Sequence, residues 1–416
     1  MATSTDLSVD RLLAKWYLPL LVLLCLFSVT HYLRVSTVLA QSWSGWAIGD
    51  WLINYETGLT RRGLAGAIIS YIARLFDLKL NWLVLSFQAL ALLGFVGLFI
   101  NMLRAKVLIF WYVVACCSPG FFLLFTYYDG MAIGRKEVLL YLTFILWLYV
   151  CAANAHSTVK TLTFSTIFFC LTLVHEAFFF FAPYFCMAAW LSDGQVNKRM
   201  PLALLLSSFV AVLLTFFLFK TADPTASCNG LIALGALPEV CVGILSAGPQ
   251  DPVLLARYYF NTFDRTALLN LFVIFAVVLL PAYLIVQSSS VKKVNKYRCL
   301  GGIFLLICFS FPLFVFAIDW GRWISMHVTL STLMLLLILP NKAEKNQLAQ
   351  EQLLQHHTAL TVKVFTLLFS ALCFVLFTLT YSLGHCCTRD FFRPFGPLDK
   401  IQHTSIFQKI LVPSSR

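Results

Sequence analysis

Five short groups of charged residues interrupt an otherwise apolar chain of 416 residues, and they are the residues best suited to chemistry. They lie at the ends of long apolar runs, where an ionisable side chain is costly to place and usually has a partner or a task. The groups occupy residues 54–63, 128–130, 134–137, 175–176 and 319–322. If all five lie on one side of a membrane, they form a single polar site.

The segment from Asp50 to Gly66, which includes the first group, combines carboxylates with a pair of guanidiniums. Asp50 and Glu56 are closely followed by Arg61 and Arg62. A carboxylate can accept a proton from an attacking hydroxyl, and guanidiniums can bind a phosphate bidentately and stabilise the charge that grows on it. We therefore predict Glu56, or failing that Asp50, as a catalytic base, and Arg61 and Arg62 as phosphate ligands. In the structural alternative, Glu56 only neutralises one arginine and fixes the loop.

The second and third groups belong to one short turn between two apolar runs. Arg135 and Lys136 would extend the phosphate site, and Asp129 would orient a sugar hydroxyl or a metal. The alternative is an interfacial cap in which Glu137 stabilises the N-terminal end of its helix through the helix dipole.

The last two groups pair an acid with a base. His175 and Glu176 stand among four phenylalanines, where burial would raise the pKa of an unpaired Glu. His175 and Glu176 would either bind substrate or stabilise the junction between two helices. Asp319 and Arg322 are three residues apart and can pair on one helix face. The functional interpretation puts Arg322 on a phosphate and a neighbouring Trp against a sugar ring.

The composition indicates a polytopic membrane protein. Hydrophobic residues make up 60% of the chain, charged residues make up 12%, and the mean hydropathy is +0.85. The formal charge of +12 is scattered over loops rather than gathered in a stripe, so a nucleic-acid partner is not expected. No Cys/His spacing resembles a zinc site. Cys228 and Cys241 would form a disulfide only if their loop faces an oxidising compartment.

We predict an all-α transmembrane bundle of about eleven spans, which forms a single domain over residues 1–383. One long run, 161–191, is split in two at His175 and Glu176, because a single tilted helix there would separate the charged groups. The split puts most short basic loops in the cytoplasm and all five groups outside. Residues 34–79 and 221–265 become outer loops, residues 64–78 an interfacial helix, and 384–416 an outer interfacial tail. The predicted spans come from the runs 16–33, 80–101, 107–126, 137–153, 161–191, 201–220, 266–287, 299–317, 323–339 and 361–383.

This pattern resembles the GT-C superfamily of membrane glycosyltransferases. The segments 54–58 (NYETG), 61–64 (RRGL), 175–176 (HE) and 319–322 (DWGR) are also similar to membrane proteins of bacterial surface-polysaccharide clusters. The resemblance implies sugar transfer from a polyprenyl-phosphate carrier at the outer face, with a catalytic Asp or Glu in the first outer loop. The chain lacks the Asp-Asp or Glu-x-Asp pair of better-known members and their large soluble C-terminal domain. The identity of the base and a requirement for a divalent metal therefore stay open.

The predicted function is that of a multi-pass glycosyltransferase of the bacterial inner membrane, with its site facing the periplasm. Its partners would be a polyprenyl-linked sugar donor, a glycan or glycolipid acceptor, and membrane lipids; no other cofactor is expected. A polymerase of the O-antigen type is a close variant. A lipid-linked glycan flippase would need charged residues deep in the spans, which are nearly free of them. A non-catalytic scaffold and an O-acyltransferase with His175 as base are further alternatives.

Overall fold

The structure is a computed structural model that describes residues 6–152, 158–192, 199–217, 223–243, 245, 265–289, 293–317, 319–342, 372, 381–383 and 392–394. The helices are α1 (Asp6–Gln41), α2 (Gly49–Leu52), α3 (Gly63–Phe76), α4 (Leu80–Ala105), α5 (Phe110–Cys116), α6 (Phe122–Tyr128), α7 (Glu137–Ala152), α8 (Thr158–Val174), α9 (Ala182–Leu191), α10 (Arg199–Phe217), α11 (Pro224–Ala233), α12 (Arg265–Ser288), α13 (Lys293–Phe316) and α14 (Trp320–Met334). Short 3₁₀ turns cover Gly130–Ala132, Glu176–Phe181, Pro238–Cys241 and Leu335–Ile338, and strands β1 (Tyr381–Leu383) and β2 (Phe392–Pro394) pair antiparallel.

The described residues form a multi-pass helical membrane protein. Six helical stretches are long and apolar enough to cross a bilayer, and four shorter apolar stretches lie among them. The six are Lys15–Gln41, Leu80–Ala105, Arg199–Phe217, Leu271–Ser288, Lys296–Val315 and Trp320–Ile338. The total of eleven spans stays a prediction, and the run 361–383 lies almost wholly outside the described residues.

Two apolar runs are broken by local backbone chemistry. The run 107–126, predicted as one span, is divided into α5 and α6 by a turn that contains Pro119 and Gly120. Proline lacks the N–H that a continuous helix would require. The run 161–191 breaks at His175, as its division into two helices requires. His175 has extended backbone angles, and its Nδ1 accepts a hydrogen bond of 3.2 Å from the backbone N–H of Ala177.

Helix α14 forms the centre of the bundle. All of its residues from Gly321 to Met334 are buried, and it packs against α5, α6, α7, α9, α12 and α13. By contrast, α1, α10, α12 and α13 expose large apolar side chains such as Leu23, Phe217 and Phe304, as lipid-facing helices do. The bundle therefore fixes the N-terminal end of α14, where Arg322 lies, against its neighbours.

The segment between α1 and α4 folds into a small layer at one end of the bundle. Its apolar core contains Trp51 and Ile69 and is completed by Val240 from the 3₁₀ turn after α11. Helix α3 is amphipathic, because Ile69 is buried whereas Tyr71 is exposed. Its position at a membrane surface stays a prediction. Gly66 allows the backbone carbonyl of Ile53 to contact α3 so closely that a side chain would collide with it.

A disulfide joins Cys228 to Cys241, and thus α11 to the following 3₁₀ turn. The disulfide that the sequence left conditional is therefore present in the structure. Backbone atoms of Val240 and Val242 lie directly over Gly45 and Gly49, where any Cβ would collide with them. The hydroxyls of Thr57 and Ser227 are 2.6 Å apart. The disulfide loop therefore packs on the chain between Gly45 and Thr57, which leads into the first charged group.

Candidate functional site

Arg62 connects two of the charged groups. It is the N-cap of α3 and has a left-handed backbone, with φ of 63°. Its Nε donates to both carboxylate oxygens of Glu176, at 3.1 and 2.9 Å, and its Nη2 donates to Oε1 at 2.8 Å. Arg61 lies beside it, with Nη1 3.8 Å from the same Oε1. The break at His175 is therefore tied to the start of α3 by a bidentate ion pair.

Asp50 and Lys136 form a buried ion pair below Arg62. Oδ1 of Asp50 is 3.6 Å from Nζ of Lys136 and 3.8 Å from Nη1 of Arg62. Burial acts to raise the pKa of Asp50, but the charges of Lys136 and Arg62 outweigh it and hold the pKa at about 2. Burial lowers the pKa of Lys136 even though Asp50 favours its charged form. Nζ of Lys136 also donates to the backbone carbonyls of Arg62 and Val174.

Arg322 pairs with two acids at the start of α14. Its Nη1 donates to Oδ2 of Asp319 at 2.7 Å, which is the pairing that the three-residue spacing predicts. Its Nη2 pairs with Oε1 of Glu137 at the first residue of α7. Arg322 therefore fixes the two helix N-termini against each other.

The turn that carries Arg135, Lys136 and Glu137 is held by hydrogen bonds to its backbone. Gly134 has φ of 78°, and its carbonyl accepts from the indole N–H of Trp51 at 2.7 Å and from Gln88 at 3.0 Å. Arg135 is buried, and it donates to the backbone carbonyls of Met131 and Trp46. Arg135 therefore connects this turn to the backbone near Trp46.

These contacts make one cluster rather than two. Arg322 is near enough to act electrostatically on Arg62 and on His175, and Asp50 acts on Arg322. The rings of His175 and Trp323 are 6.3 Å apart. The structure therefore brings together nine of the eleven residues that the sequence predicts, namely Asp50, Arg61, Arg62, Arg135, Lys136, His175, Glu176, Asp319 and Arg322.

The cluster has an accessible side and a buried side. We call Arg61, Arg62, Glu176 and Asp319 the rim, because their side chains are 38%, 23%, 17% and 26% exposed. We call Asp50, Lys136, Glu137 and Arg322 the floor, because each is less than 10% exposed. A ligand that approaches from outside would meet the rim first.

Two of the predicted residues lie outside these ion pairs. Glu56 pairs with Arg74 near the end of α3, in a partly exposed position. Asp129 is the N-cap of the Gly130–Ala132 turn, where it accepts a hydrogen bond of 2.9 Å from the N–H of Met131. The acid partner of Arg74 is therefore Glu56, which the sequence had predicted as a base beside Arg61 and Arg62.

The role of Glu137 was not predicted from the sequence, which indicated only a helix cap. The ion pair with Arg322 crosses 185 positions of the chain. No local spacing signals such a pair. The one available hint was the run of three adjacent charges at residues 135–137.

A buried polar network inside the bundle was also not predicted from the sequence. His327 on α14 has both ring nitrogens in hydrogen bonds, to Tyr184 at 2.8 Å and to Ser310 at 2.6 Å. Tyr184 also contacts the hydroxyl of Ser331 at 3.1 Å. This network ties α9 and α13 to α14. The sequence signal for this network is a single histidine, His327, followed one helical turn later by Ser331.

Among the described residues, no group of three or more His, Cys, Asp or Glu side chains is arranged to hold a metal ion. The cluster instead alternates carboxylates with guanidiniums and a lysine, an arrangement that suits an anion rather than a cation. Comparison of the chain with protein-family models, curated proteins and solved structures gives no match.

Proposed function

We propose that this protein is a membrane glycosyltransferase that moves a sugar or glycan from a polyprenyl-phosphate or polyprenyl-diphosphate carrier to an envelope polysaccharide or glycolipid. One observation carries the proposal. Charged groups from four separate parts of the chain meet in one cluster at one end of an apolar bundle, and that cluster has two adjacent arginines on its accessible side.

The rim suits the phosphate of a lipid carrier. Arg61 and Arg62 present neighbouring guanidiniums, which bind phosphate oxygens in pairs and stabilise charge on a leaving phosphate. Arg61 is the more loosely held of the two, since its contact with Glu176 is 3.8 Å long and its side chain is 38% exposed. An arriving phosphate would share these guanidiniums with the Glu176 carboxylate.

The remaining parts of the proposal concern the membrane. We infer about eleven spans, an interfacial position for α3, and an outward-facing site in a bacterial inner membrane. The disulfide supports the orientation, because disulfides persist in oxidising compartments. Its loop contacts the segment between Asp50 and Arg62 through Thr57, so the cluster and the disulfide share one side.

A lipid-linked glycan flippase is the second candidate, and the interior of α14 favours it. Ser325, His327, Thr329 and Ser331 are all buried in that helix. Polar residues inside a bundle often mark a substrate pathway. The hydrogen bonds of His327 favour a fixed helix junction over such a path. A polymerase of the O-antigen type would use the same donor and the same cluster.

The test is sugar transfer by the purified protein in detergent, with radiolabelled polyprenyl-linked sugars and extracted envelope glycolipids. We expect product with the wild type and at least a tenfold slower transfer with Arg62→Lys, which keeps the charge but loses the bidentate geometry. Lys79→Ala removes an exposed basic residue at the start of α4 and should leave transfer unchanged.

One outcome would contradict the proposal. If no donor gives product, while the protein in liposomes moves the same lipids between leaflets, the glycosyltransferase proposal is wrong and the flippase replaces it.

A further inference from the structure

The carboxylates of the cluster differ in their suitability as the base of the transfer reaction, and an assignment of the base rests on that proposed function. A general base needs a carboxylate that the acceptor hydroxyl can reach, with one oxygen that is not already committed to a strong partner. The cluster contains four carboxylates, from Asp50, Glu137, Glu176 and Asp319.

Three of these four carboxylates are poorly suited. Asp50 is 1% exposed and lies between two cations. Glu137 is 8% exposed and is bound to Arg322 on the floor. Glu176 reaches the rim, but Arg62 donates hydrogen bonds to both of its oxygens. Glu56, in the first outer loop, pairs with Arg74 away from the rim arginines.

Asp319 meets both requirements. Its side chain is 26% exposed, and Oδ2 is held by Arg322 at 2.7 Å. It occupies the N-cap of α14, where its carbonyl accepts from the N–H of Trp323. An Asp at this position normally accepts a helix N–H with its side chain as well. Here the side chain makes no such bond, because it is turned toward Arg322.

The surroundings of Asp319 provide further donors. Arg322 Nε and Trp323 Nε1 are buried and have no hydrogen-bond partner among the described residues. Buried donors are nearly always satisfied, and the ring and hydroxyl oxygens of a sugar are acceptors of the required kind. Arg322 is fixed by Glu137 on its other side, so the carboxylate that it orients is held in place as well.

We propose that Asp319 is the general base of the transfer reaction. Its carboxylate accepts the proton of the acceptor hydroxyl, and the hydroxyl oxygen forms a bond to the anomeric carbon of the donor sugar. The bond between that carbon and the phosphate oxygen of the carrier breaks. Its electron pair leaves with the phosphate, which Arg61 and Arg62 hold.

The experiment compares Asp319→Asn with the wild type in the transfer assay with polyprenyl-linked sugars. Asparagine can still accept the hydrogen bond from Arg322, so folding and donor KM should stay within about threefold, while kcat falls about 100- to 10,000-fold. A residue with a merely structural role would instead change donor KM and thermal stability. Glu239→Gln, which alters an exposed acid of the disulfide loop, is the matched control and should transfer at the wild-type rate.

Asp319→Glu provides a second variant if Asp319→Asn does not fold, because it keeps the charge opposite Arg322 but displaces the oxygens. A lower kcat with an unchanged melting temperature supports the proposal. An active wild type with an equally active Asp319→Asn overturns this assignment alone. If Glu56→Gln loses activity instead, the base lies in the first outer loop. A wild type with no transfer at all overturns the proposed function, and the assignment with it.

Discussion

Replacing Asp50 with Asn tests whether the floor of the cluster holds the protein together. The change preserves side-chain volume and removes one charge, so its cost is electrostatic. Lys136 lies 3.6 Å and Arg62 3.8 Å from the Asp50 carboxylate. The pKa of about 2, compared with about 3.9 for an unfolded Asp, corresponds to about 2–3 kcal/mol in favour of the folded state at pH 7. A buried cation left without its partner brings the expected cost to about 3–5 kcal/mol.

The assay is the free energy of unfolding in mixed detergent micelles, measured for Asp50→Asn, Lys136→Met and the double variant. We expect Lys136→Met to restore at least about 1.5 kcal/mol when it is added to Asp50→Asn, since it removes the unpaired buried charge. Glu56→Gln breaks the more exposed pair with Arg74 and should cost less than about 1 kcal/mol. A stable Asp50→Asn, or a double variant less stable than both single ones, would refute the reasoning.

The ion pair of Asp50 with Lys136 also predicts that the stability of the folded protein depends on pH. The pKa of Asp50 is depressed in the folded protein, so its stabilisation is complete above the unfolded pKa and is lost as the pH falls through about 2. The difference in stability between the wild type and Asp50→Asn should therefore shrink as the pH falls from about 5 to 2. A difference that stays constant over this range would contradict the assigned ion pair.

Three further variants test the fold around the site. Breaking the disulfide with Cys228→Ser should lower the free energy of unfolding by about 3 kcal/mol, as expected for its sequence separation of 13; equal stability with and without reductant would contradict it. Gly66→Ala should lower the melting temperature, because its Cβ would collide with a backbone carbonyl. Gly97→Ala, which faces open space in a helix, should be neutral or stabilising by up to about 1 kcal/mol. Tyr184→Phe should cost about 1–3 kcal/mol in unfolding experiments, since His327 then keeps a buried nitrogen unsatisfied; an unchanged unfolding curve would show that this bond is unimportant.

The sequence predicts the helical elements well where polarity or backbone chemistry interrupts an apolar run. The break at His175 follows from a polar pair in the middle of a run that is too long for one span. The division of the run 107–126 was missed, because mean hydropathy averages over Pro119 and Gly120. Those two residues carry the relevant signal, and it is one of backbone geometry rather than of polarity.

The sequence predicts an ion pair in the cluster only where the two partners are close along the chain. Asp319 and Arg322 are three residues apart on one helix and do pair. Glu56, by contrast, pairs with Arg74 rather than with the nearer Arg61 or Arg62. The partner of Glu56 depends on the direction in which α3 leaves the loop. That direction is set by packing of α3 in the apolar core that contains Trp51, Ile69 and Val240. Spacing along the chain carries no information about it.

Charged residues of the same types have different roles on the floor and on the rim. The buried floor charges stabilise the fold, whereas the exposed rim charges are available to a ligand. Floor charges are buried and paired across distant segments, so removing one leaves its partner unsatisfied and should destabilise the protein by about 3–5 kcal/mol. The pair between Arg61 and Glu176 on the rim is long and partly exposed, and such pairs contribute at most about 1 kcal/mol. A phosphate can therefore replace the carboxylate on Arg61 at little cost while the floor keeps the helices in place. Substitution of Arg61 should consequently impair ligand binding before it impairs folding, and substitutions on the floor should show the reverse order.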